Sequence, residues 1–140
     1  MSSSLSPFHI ALLEFLMTAK QGMINIAKEY DLTPIQATTL ILVDNDHPKP
    51  MNAFQKIYSC DASNVTGIVD GLQEKNLAYR GELPDDRRVK TILLTPEGGV
   101  VQERLVESIT QIDNTILKDL TEEELASFKA IIIKLATQDK

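Results

Sequence analysis

The sequence predicts a mostly helical (α+β) fold in which several long helices accompany one short β-hairpin. Three observations support this prediction. Hydroxyl residues stand before a proline or an acidic run at four places, an arrangement that begins helices. Apolar residues then recur at spacings of three and four positions through most of the chain. Residues 77–94 instead alternate in the manner of two strands separated by a turn.

Four helix starts are marked by N-cap residues. They are Ser6-Pro7, Thr33-Pro34, Thr95-Pro96 and the run Thr121-Glu122-Glu123-Glu124. In the first three, the hydroxyl caps the helix and the proline occupies its first turn, where a missing N–H costs nothing. The fourth is a capping box whose acids also suit the positive end of the helix dipole. We therefore expect helices that begin near residues 6, 33, 95 and 121.

The helices at the two ends of the chain are unusually apolar. The first, to about residue 30, is apolar on nearly every side, which predicts burial by more than one neighbour. The helix from residue 96 carries a seam for a long partner helix, formed by Val101, Leu105, Ile109, Ile112, Ile116 and Leu120. The last helix adds the face Leu125, Phe128, Ile132 and Leu135. The middle of the chain is too small to cover all three, so we expect a two-fold symmetric homodimer.

The middle of the chain predicts three shorter helices and a hairpin. Residues 32–43 form a helix, residues 44–50 form a loop rich in helix breakers, and residues 51–58 make two helical turns. A helix over residues 62–76 follows, capped by Asp61 or Ser63. Its buried face consists of Val65, Ile68, Val69 and Leu72.

Two strands complete this part of the sequence. They are predicted at residues 77–82 and 89–94, joined by a loop at residues 83–88 that contains a proline and two aspartates. Helix, short turn, helix and hairpin in this order indicate a winged helix-turn-helix with a two-stranded β-wing. The N- and C-terminal helices would form its dimerisation domain.

The predicted helix at residues 62–76 has small polar residues on its outward side. These are Ser63, Asn64, Thr66 and Gly67. Such short side chains allow a helix N-terminus to lie close to a DNA duplex, where hydroxyls and amides contact phosphates and Asn reaches an adenine edge. The alternative is a solvated helix face with a capping serine.

Basic residues are concentrated beside the hairpin turn. The chain has a net charge of −6, yet Lys49 to Lys90 holds seven basic residues against six acidic ones. We place Arg87 and Arg88 at the turn and Lys90 at the base of the returning strand. A protruding arginine can enter a narrow minor groove, and Asp86 can hold an arginine extended by charge-assisted hydrogen bonds. The alternative is a solvated cluster of charges.

These motifs together resemble one family. The run DRRVKTILLT, from Asp86 to Thr95, resembles the wing signature of the MarR family of winged helix-turn-helix transcriptional regulators, Asp-x-Arg, five residues, then Leu-Thr. The preceding SNVTGIVDGLQEKNLAYR is similar to the recognition helix and first wing strand of that family, and the following PEGG resembles the start of its next helix. The resemblance extends roughly over residues 6–138.

The resemblance implies a homodimeric repressor that binds a near-palindromic operator in double-stranded DNA. One recognition helix would occupy each half-site, and a wing would enter each flanking minor groove. Residues implied to contact DNA are Ser63, Asn64 and Thr66 on the recognition helix and Arg87, Arg88 and Lys90 on the wing. Asp86 matches the residue that braces the wing. A small-molecule effector, phenolic or anionic, or an oxidation event would alter the spacing of the two DNA-binding lobes.

The sequence departs from the family in its recognition helix. Gly67 and Gly71 stand where many relatives have a long polar residue, and no basic residue occurs in this helix before Lys75. Fewer basic contacts displace fewer counterions, which predicts weaker and less salt-dependent DNA binding. The contrasting hypothesis is therefore a winged-helix module that contacts proteins and has little or no DNA affinity.

We expect a single domain over residues 1–140, with the winged helix-turn-helix at about 33–95 and dimerisation helices at about 6–30 and 96–138. No apolar run is long enough to span a membrane and no signal peptide is apparent, so we expect a cytoplasmic protein without a membrane partner. No motif suggests an enzyme, a metal site or a cofactor. The single cysteine, Cys60, is interpreted as a small buried residue, with a redox role as the alternative.

Overall fold

The computed structural model describes residues 4–138. Within them the chain forms six α-helices, one 3₁₀ helix and a two-stranded antiparallel sheet, which confirms the predicted fold class. The elements are α1 (Pro7–Lys28), α2 (Pro34–Leu42), α3 (Met51–Tyr58), α4 (Ala62–Glu74), β1 (Ala78–Leu83), β2 (Asp86–Leu94), α5 (Pro96–Thr110), the 3₁₀ helix (Gln111–Asn114) and α6 (Glu122–Ala136). No helix in this range is both long and apolar enough to cross a bilayer.

All four predicted helix starts are confirmed. The capping residues are Ser6, Thr33, Thr95 and Thr121, each of which accepts a hydrogen bond from the backbone N–H three positions on. At Thr33 and Thr121 the third helical residue also returns a bond to the cap, which completes a capping box. Helix starts follow the sequence closely because each cap satisfies backbone donors within one turn of itself.

The core joins the helix-turn-helix, the wing and the start of α5. Its largest fully buried apolar side chains are Phe54, Leu40, Leu72, Ile92, Leu105 and Val69. They come from five different elements, so these elements form one packed unit. Thr91, also fully buried, donates its hydroxyl proton to the carbonyl of Lys49 and thereby connects β2 to the entry of α3.

Polar contacts connect α5 to the end of α2 and to the wing. The Gln102 side-chain amide donates to the carbonyls of Leu40 (2.8 Å) and Val43 (2.7 Å) at the end of α2. Asn45 exchanges two hydrogen bonds with the backbone of Leu94, at 2.8 and 3.1 Å. The Gln102 bonds satisfy carbonyls that the end of α2 leaves without helical partners. The Asn45 bonds connect the loop after α2 to the end of β2.

Gly98 allows α5 to approach the loop before β1. A Cβ built at this position would lie 1.8 Å from the carbonyl oxygen of Leu77, which is a clash with backbone. A Cβ at the neighbouring Gly99 would meet nothing within 4 Å, so that residue lacks this constraint. Residue 98 therefore needs to be glycine for packing rather than for an unusual backbone angle.

The predicted loop at residues 83–88 is too long. Strand β2 begins at Asp86, so Pro84 and Asp85 alone form the turn. The strands pair from Ala78 opposite Leu94 to Glu82 opposite Lys90, and a register shift after Glu82 lets Leu83 pair with Asp86. Residues 87–89 of β2 lie between these last two pairs as a bulge, so Arg87 and Arg88 belong to β2 beside the turn.

The predicted long helix from residue 96 is also interrupted. α5 ends at Thr110 and is followed by the 3₁₀ helix and a turn up to Leu120. The Thr110 hydroxyl donates to the carbonyl of Glu107, and the Thr115 hydroxyl donates to that of Gln111. Side-chain hydrogen bonds of this kind compete with the regular helical pattern and favour a tighter last turn.

The terminal helices leave much of their apolar surface open within one chain. In the described part of the chain, Ala27 is the one buried residue of α1, and α6 has none. Phe8 is 67% exposed and Ile133 is 63% exposed. The expectation that several neighbours bury α1 is therefore not met by a single copy of this chain.

Candidate nucleic-acid interface

Asp61 caps the recognition helix α4. One oxygen of its carboxylate, Oδ1, accepts from the backbone N–H of Asn64 (2.9 Å) and from the hydroxyl of Ser63 (2.8 Å). The Asn64 N–H, and next the Ser63 hydroxyl, hold the pKa of Asp61 below its ordinary value of 3.8. Of the two predicted caps, Asp61 is therefore the one observed. Because the Ser63 hydroxyl donates its proton to Asp61, its oxygen lone pairs remain free to accept hydrogen bonds.

The outward face of α4 is as the sequence predicts. Val65, Val69 and Leu72 are buried and Ile68 is half-buried. The residues expected to face outward are all exposed: Ser63, Asn64, Thr66 and Gly67. Their contact with DNA stays a prediction.

The two glycines of α4 have different surroundings. A Cβ at Gly71 would lie 2.5 Å from the Nε2 atom of Gln36, so this glycine lets α2 and α4 pack closely. A Cβ at Gly67 would meet nothing within 4 Å, so nothing inside the fold requires glycine there. Packing against α2 thus explains why residue 71 is glycine instead of a long polar residue. No contact within the fold explains the glycine at residue 67.

Asp86 holds Arg88 at the tip of the wing. The Arg88 Nε donates to Asp86 Oδ1 (3.1 Å), Nη2 donates to Oδ2 (3.3 Å), and the Arg88 backbone N–H also donates to Oδ1 (3.1 Å). These bonds lower the pKa of Asp86, and the Arg88 side chain is the largest cause. Because the Arg88 side chain is nevertheless 90% exposed, its guanidinium is oriented while it still faces solvent.

The three basic residues of β2 are all exposed but have different surroundings. Arg87 and Arg88 lie in the stretch where the register of the two strands shifts, whereas Lys90 lies in the regularly paired part. Lys90 pairs at 3.5 Å with Glu82, the residue opposite it on β1. Arg87 is exposed beside the turn.

A cleft of about 640 Å³ separates α4 from the wing. It is lined by Met51, Thr66, Arg80, Gly81, Glu82 and Lys90. The structure thereby brings together one predicted recognition-helix residue, Thr66, and one predicted wing residue, Lys90. The other predicted residues lie outside this cleft, on the helix N-terminus and the hairpin tip.

Arg80 belongs to this surface although sequence reasoning did not select it. Its Nη2 donates to Asp70 Oδ1 (2.6 Å) and its Nη1 donates to Gln73 Oε1 (2.8 Å), which connects β1 to α4. The position of Arg80 in the sequence could have predicted this contact. The chain turns directly from α4 into β1, so a basic residue early in the strand lies beside the last turns of the helix.

Cys60 and the two histidines, His9 and His47, have local roles in the structure. Cys60 is half-buried and packs against the core. His9 bonds to the Ser6 hydroxyl (2.7 Å) and His47 pairs with Asp44 (3.3 Å), both at the surface. Among residues 4–138, no three His, Cys, Asp or Glu side chains converge as metal ligands would.

Comparison with known proteins agrees with this geometry. The sequence model of the MarR family matches residues 32–90, the segment from just before α2 to the middle of β2. This match supports the MarR family for the helix-turn-helix and wing of this chain. The proteins of this family that the chain resembles are transcriptional regulators, a non-enzymatic family.

Individual relatives extend the match over most of the chain. The HTH-type transcriptional repressor MdtR of Bacillus subtilis is 27% identical over 132 residues, which cover 94% of this chain and 85% of MdtR. A mutant MarR from E. coli, solved in complex with operator DNA, superposes with a TM-score of 0.74 at 22% identity over 95% of this chain and 99% of that one. BpsR of Bordetella bronchiseptica, studied for regulation of its DNA binding by 6-hydroxynicotinic acid, reaches a TM-score of 0.77 at 21% identity over 99% of both chains. Both structures share the fold of this chain.

Proposed function

We propose that this MarR-family regulator is a cytoplasmic repressor that binds a near-palindromic operator as a homodimer. The observation that carries the proposal is Arg88, which Asp86 holds outward at the tip of the wing. A cation presented this way suits the narrow minor groove, where the negative potential is greatest. The repressor role is supported by the name of the relative MdtR.

The recognition helix would lie in the adjacent major groove. Ser63, Asn64 and Thr66 are short, exposed and close to the helix N-terminus, so they reach base edges and phosphates where the helix approaches the duplex closely. Lys90, across the cleft from Thr66, would contact a phosphate. Arg87, exposed beside the turn, would contact the DNA backbone next to the minor groove.

The homodimer is supported by the exposed apolar surfaces of α1 and α6. The exposed large apolar residues of these two helices are Phe8, Ile10, Leu12, Leu13, Phe15, Leu16, Met17, Ile131, Ile132, Ile133 and Leu135. So many exposed large apolar side chains on two helices are unusual for a stable monomer. A second copy of the chain covers it with the same residues and places two wings symmetrically on one duplex.

An effector site is proposed between α1 and the region after α5. A cavity of about 610 Å³ there is lined by apolar residues that include Met23, Ile26, Ile112 and Ile116. Its polar lining consists of hydroxyl and amide groups, which suits a neutral phenol better than a free anion. A ligand in this cavity would act by favouring a lobe spacing that does not match the operator.

A DNA titration tests the proposed function. Fluorescence anisotropy would follow the binding of wild-type protein to random-sequence and promoter-derived duplexes at low and moderate salt. We expect Arg88→Ala to lower the affinity at least several-fold and to make its dependence on salt shallower, because one fewer counterion is released. Lys118→Ala, which removes one exposed positive charge outside the winged helix-turn-helix, is the matched control and should change neither.

The same titration separates the regulator from a protein-interaction module. The module is suggested by the net charge of −6 and by a recognition helix without basic residues. If every duplex binds weakly at low salt and Arg88→Ala behaves like wild type, the DNA-binding proposal is wrong. A phenol that enters the cavity beside α1 should weaken binding to the preferred duplex.

A further inference from the structure

The outward face of the recognition helix carries an acidic residue at its centre. Asp70 follows Ser63 by seven positions, which is two helical turns, so both side chains project from the same face of α4. The Asp70 side chain is 55% exposed. A carboxylate at this position would repel phosphates, and a helix that enters DNA therefore requires a compensating reason for it.

Arg80 holds this carboxylate by one oxygen. The Arg80 Nη2 lies 2.6 Å from Asp70 Oδ1, and the bond from Nη1 to Gln73 fixes the guanidinium on the helix. Within the described residues Asp70 Oδ2 forms no hydrogen bond, so it remains a free acceptor on the outward face. An ion pair this exposed contributes little to stability, so its main effect is to orient the carboxylate and offset its charge.

We propose that Asp70 is a specificity-determining residue that accepts a hydrogen bond from the N4 amino group of a cytosine in the operator half-site. Arg80 is the positioning residue that orients it. This inference rests on the proposed operator binding. It adds a base preference that Ser63, Asn64 and Thr66 do not supply, since hydroxyls and amides both donate and accept and so discriminate less strongly.

Cytosine fits an oriented carboxylate better than the other bases. Its major-groove edge offers a donor alone, and a carboxylate is solely an acceptor. Adenine also offers an amino group, but its neighbouring N7 is an acceptor that would repel Asp70. Guanine and thymine present acceptors in the major groove. The Arg80 contact makes the inference specific, because an unrestrained aspartate would turn away from the negative duplex.

Selection of duplexes from a randomised library tests this inference. Wild-type protein, Asp70→Asn and Glu74→Gln would be used in parallel, and the bound sequences compared. Glu74 is exposed one turn further along α4, and its amide variant removes the same charge. We expect wild type to enrich a palindromic motif with one invariant C·G pair in each half-site. Asp70→Asn should reduce the preference for that pair by roughly tenfold, as expected for loss of one base contact, whereas Glu74→Gln should retain it.

The possible outcomes are distinguishable. If Asp70→Asn enriches the wild-type motif with undiminished preference at every position, or if Glu74→Gln relaxes the same position equally, the inference is overturned. If the wild-type protein enriches no motif, both the proposed operator binding and the inference about Asp70 are wrong. Arg80→Gln tests the positioning role of Arg80. It should reduce the preference for the same C·G pair as Asp70→Asn does, with an unchanged helical circular dichroism spectrum. An unchanged preference for that pair would show that Arg80 has a structural role alone.

Discussion

At the scale of single residues, exposed charges in this protein orient side chains more than they stabilise the fold. Asp86 and Arg88 form three hydrogen bonds at the tip of the wing, where water screens their attraction. Water likewise screens the ion pair between Asp70 of α4 and Arg80 of β1. In both pairs the benefit is conformational, because a long side chain that is already oriented loses less entropy on binding.

The first prediction concerns Asp86. Asp86→Asn should lower the affinity for a preferred duplex several-fold and leave the melting temperature nearly unchanged, because Arg88 loses its orientation but no buried contact is removed. The double variant Asp86→Asn with Arg88→Ala should bind no more weakly than Arg88→Ala alone. Anisotropy titrations of the four proteins form a double-mutant cycle, and additive losses would contradict the proposed bracing role.

At the scale of elements, the junction between β1, β2 and α5 depends on close backbone contact. The Thr95 backbone N–H donates to the carbonyl of Leu77 (3.2 Å), and the Thr95 hydroxyl donates to that of Asn76 (2.7 Å). Gly98 then passes directly over Leu77. These contacts pack the first turn of α5 against the end of the wing, so the helix-turn-helix and wing set the orientation of α5, a proposed dimerisation helix.

A pair of adjacent glycines tests this junction. Gly98→Ala should lower the free energy of unfolding by about 1–3 kcal/mol, because its Cβ would overlap the Leu77 carbonyl and the backbone must shift. Gly99→Ala, one residue later in the same helix, should be neutral or raise it by up to about 1 kcal/mol through helix propensity. Urea unfolding followed by circular dichroism measures both. Equal effects of the two substitutions would refute the close-contact explanation.

At the scale of the whole molecule, the buried core and the open apolar surface occupy different parts of the chain. Apart from Ala27 near the end of α1, the fully buried apolar residues belong to the helix-turn-helix, the wing and α5, whereas α1 and α6 expose apolar residues along most of their described length. One chain therefore packs the core of the helix-turn-helix and wing by itself, but it does not bury the apolar residues of α1 and α6. The proposed homodimer is the assembly that resolves this difference.

The last prediction addresses that assembly. Leu13→Glu places a charge in the exposed apolar face of α1 and should convert a dimer to a monomer, since burial of an unpaired carboxylate is unfavourable. Duplex affinity should fall with it, because two linked half-site contacts become one. Ser127→Glu adds the same charge on α6 without loss of apolar surface and serves as control. Light scattering with size-exclusion chromatography gives the mass, and a monomeric wild-type protein would exclude the proposed dimer.

Much of the fold and part of the candidate site follow from sequence. The helix starts and the buried face of α4 were predicted correctly, because a cap acts within one turn and a helical face follows from 3.6 residues per turn. The exposure of Ser63, Asn64 and Thr66 follows from the same periodicity. Their roles on DNA, and those of Arg87, Arg88 and Lys90, depend on a partner and stay predictions.

Local chemistry by itself therefore determined where helices begin, which face of the recognition helix is buried, and that Asp86 lies within reach of Arg88. Tertiary structure alone decided that β2 extends back to Asp86 and that Arg80 contacts Asp70, ten residues earlier in the chain. The physical reason is the same in each case. Where an element stops, and which distant side chain it then contacts, depends on competition among packing, strand pairing and side-chain hydrogen bonds that spacing along the chain does not reveal.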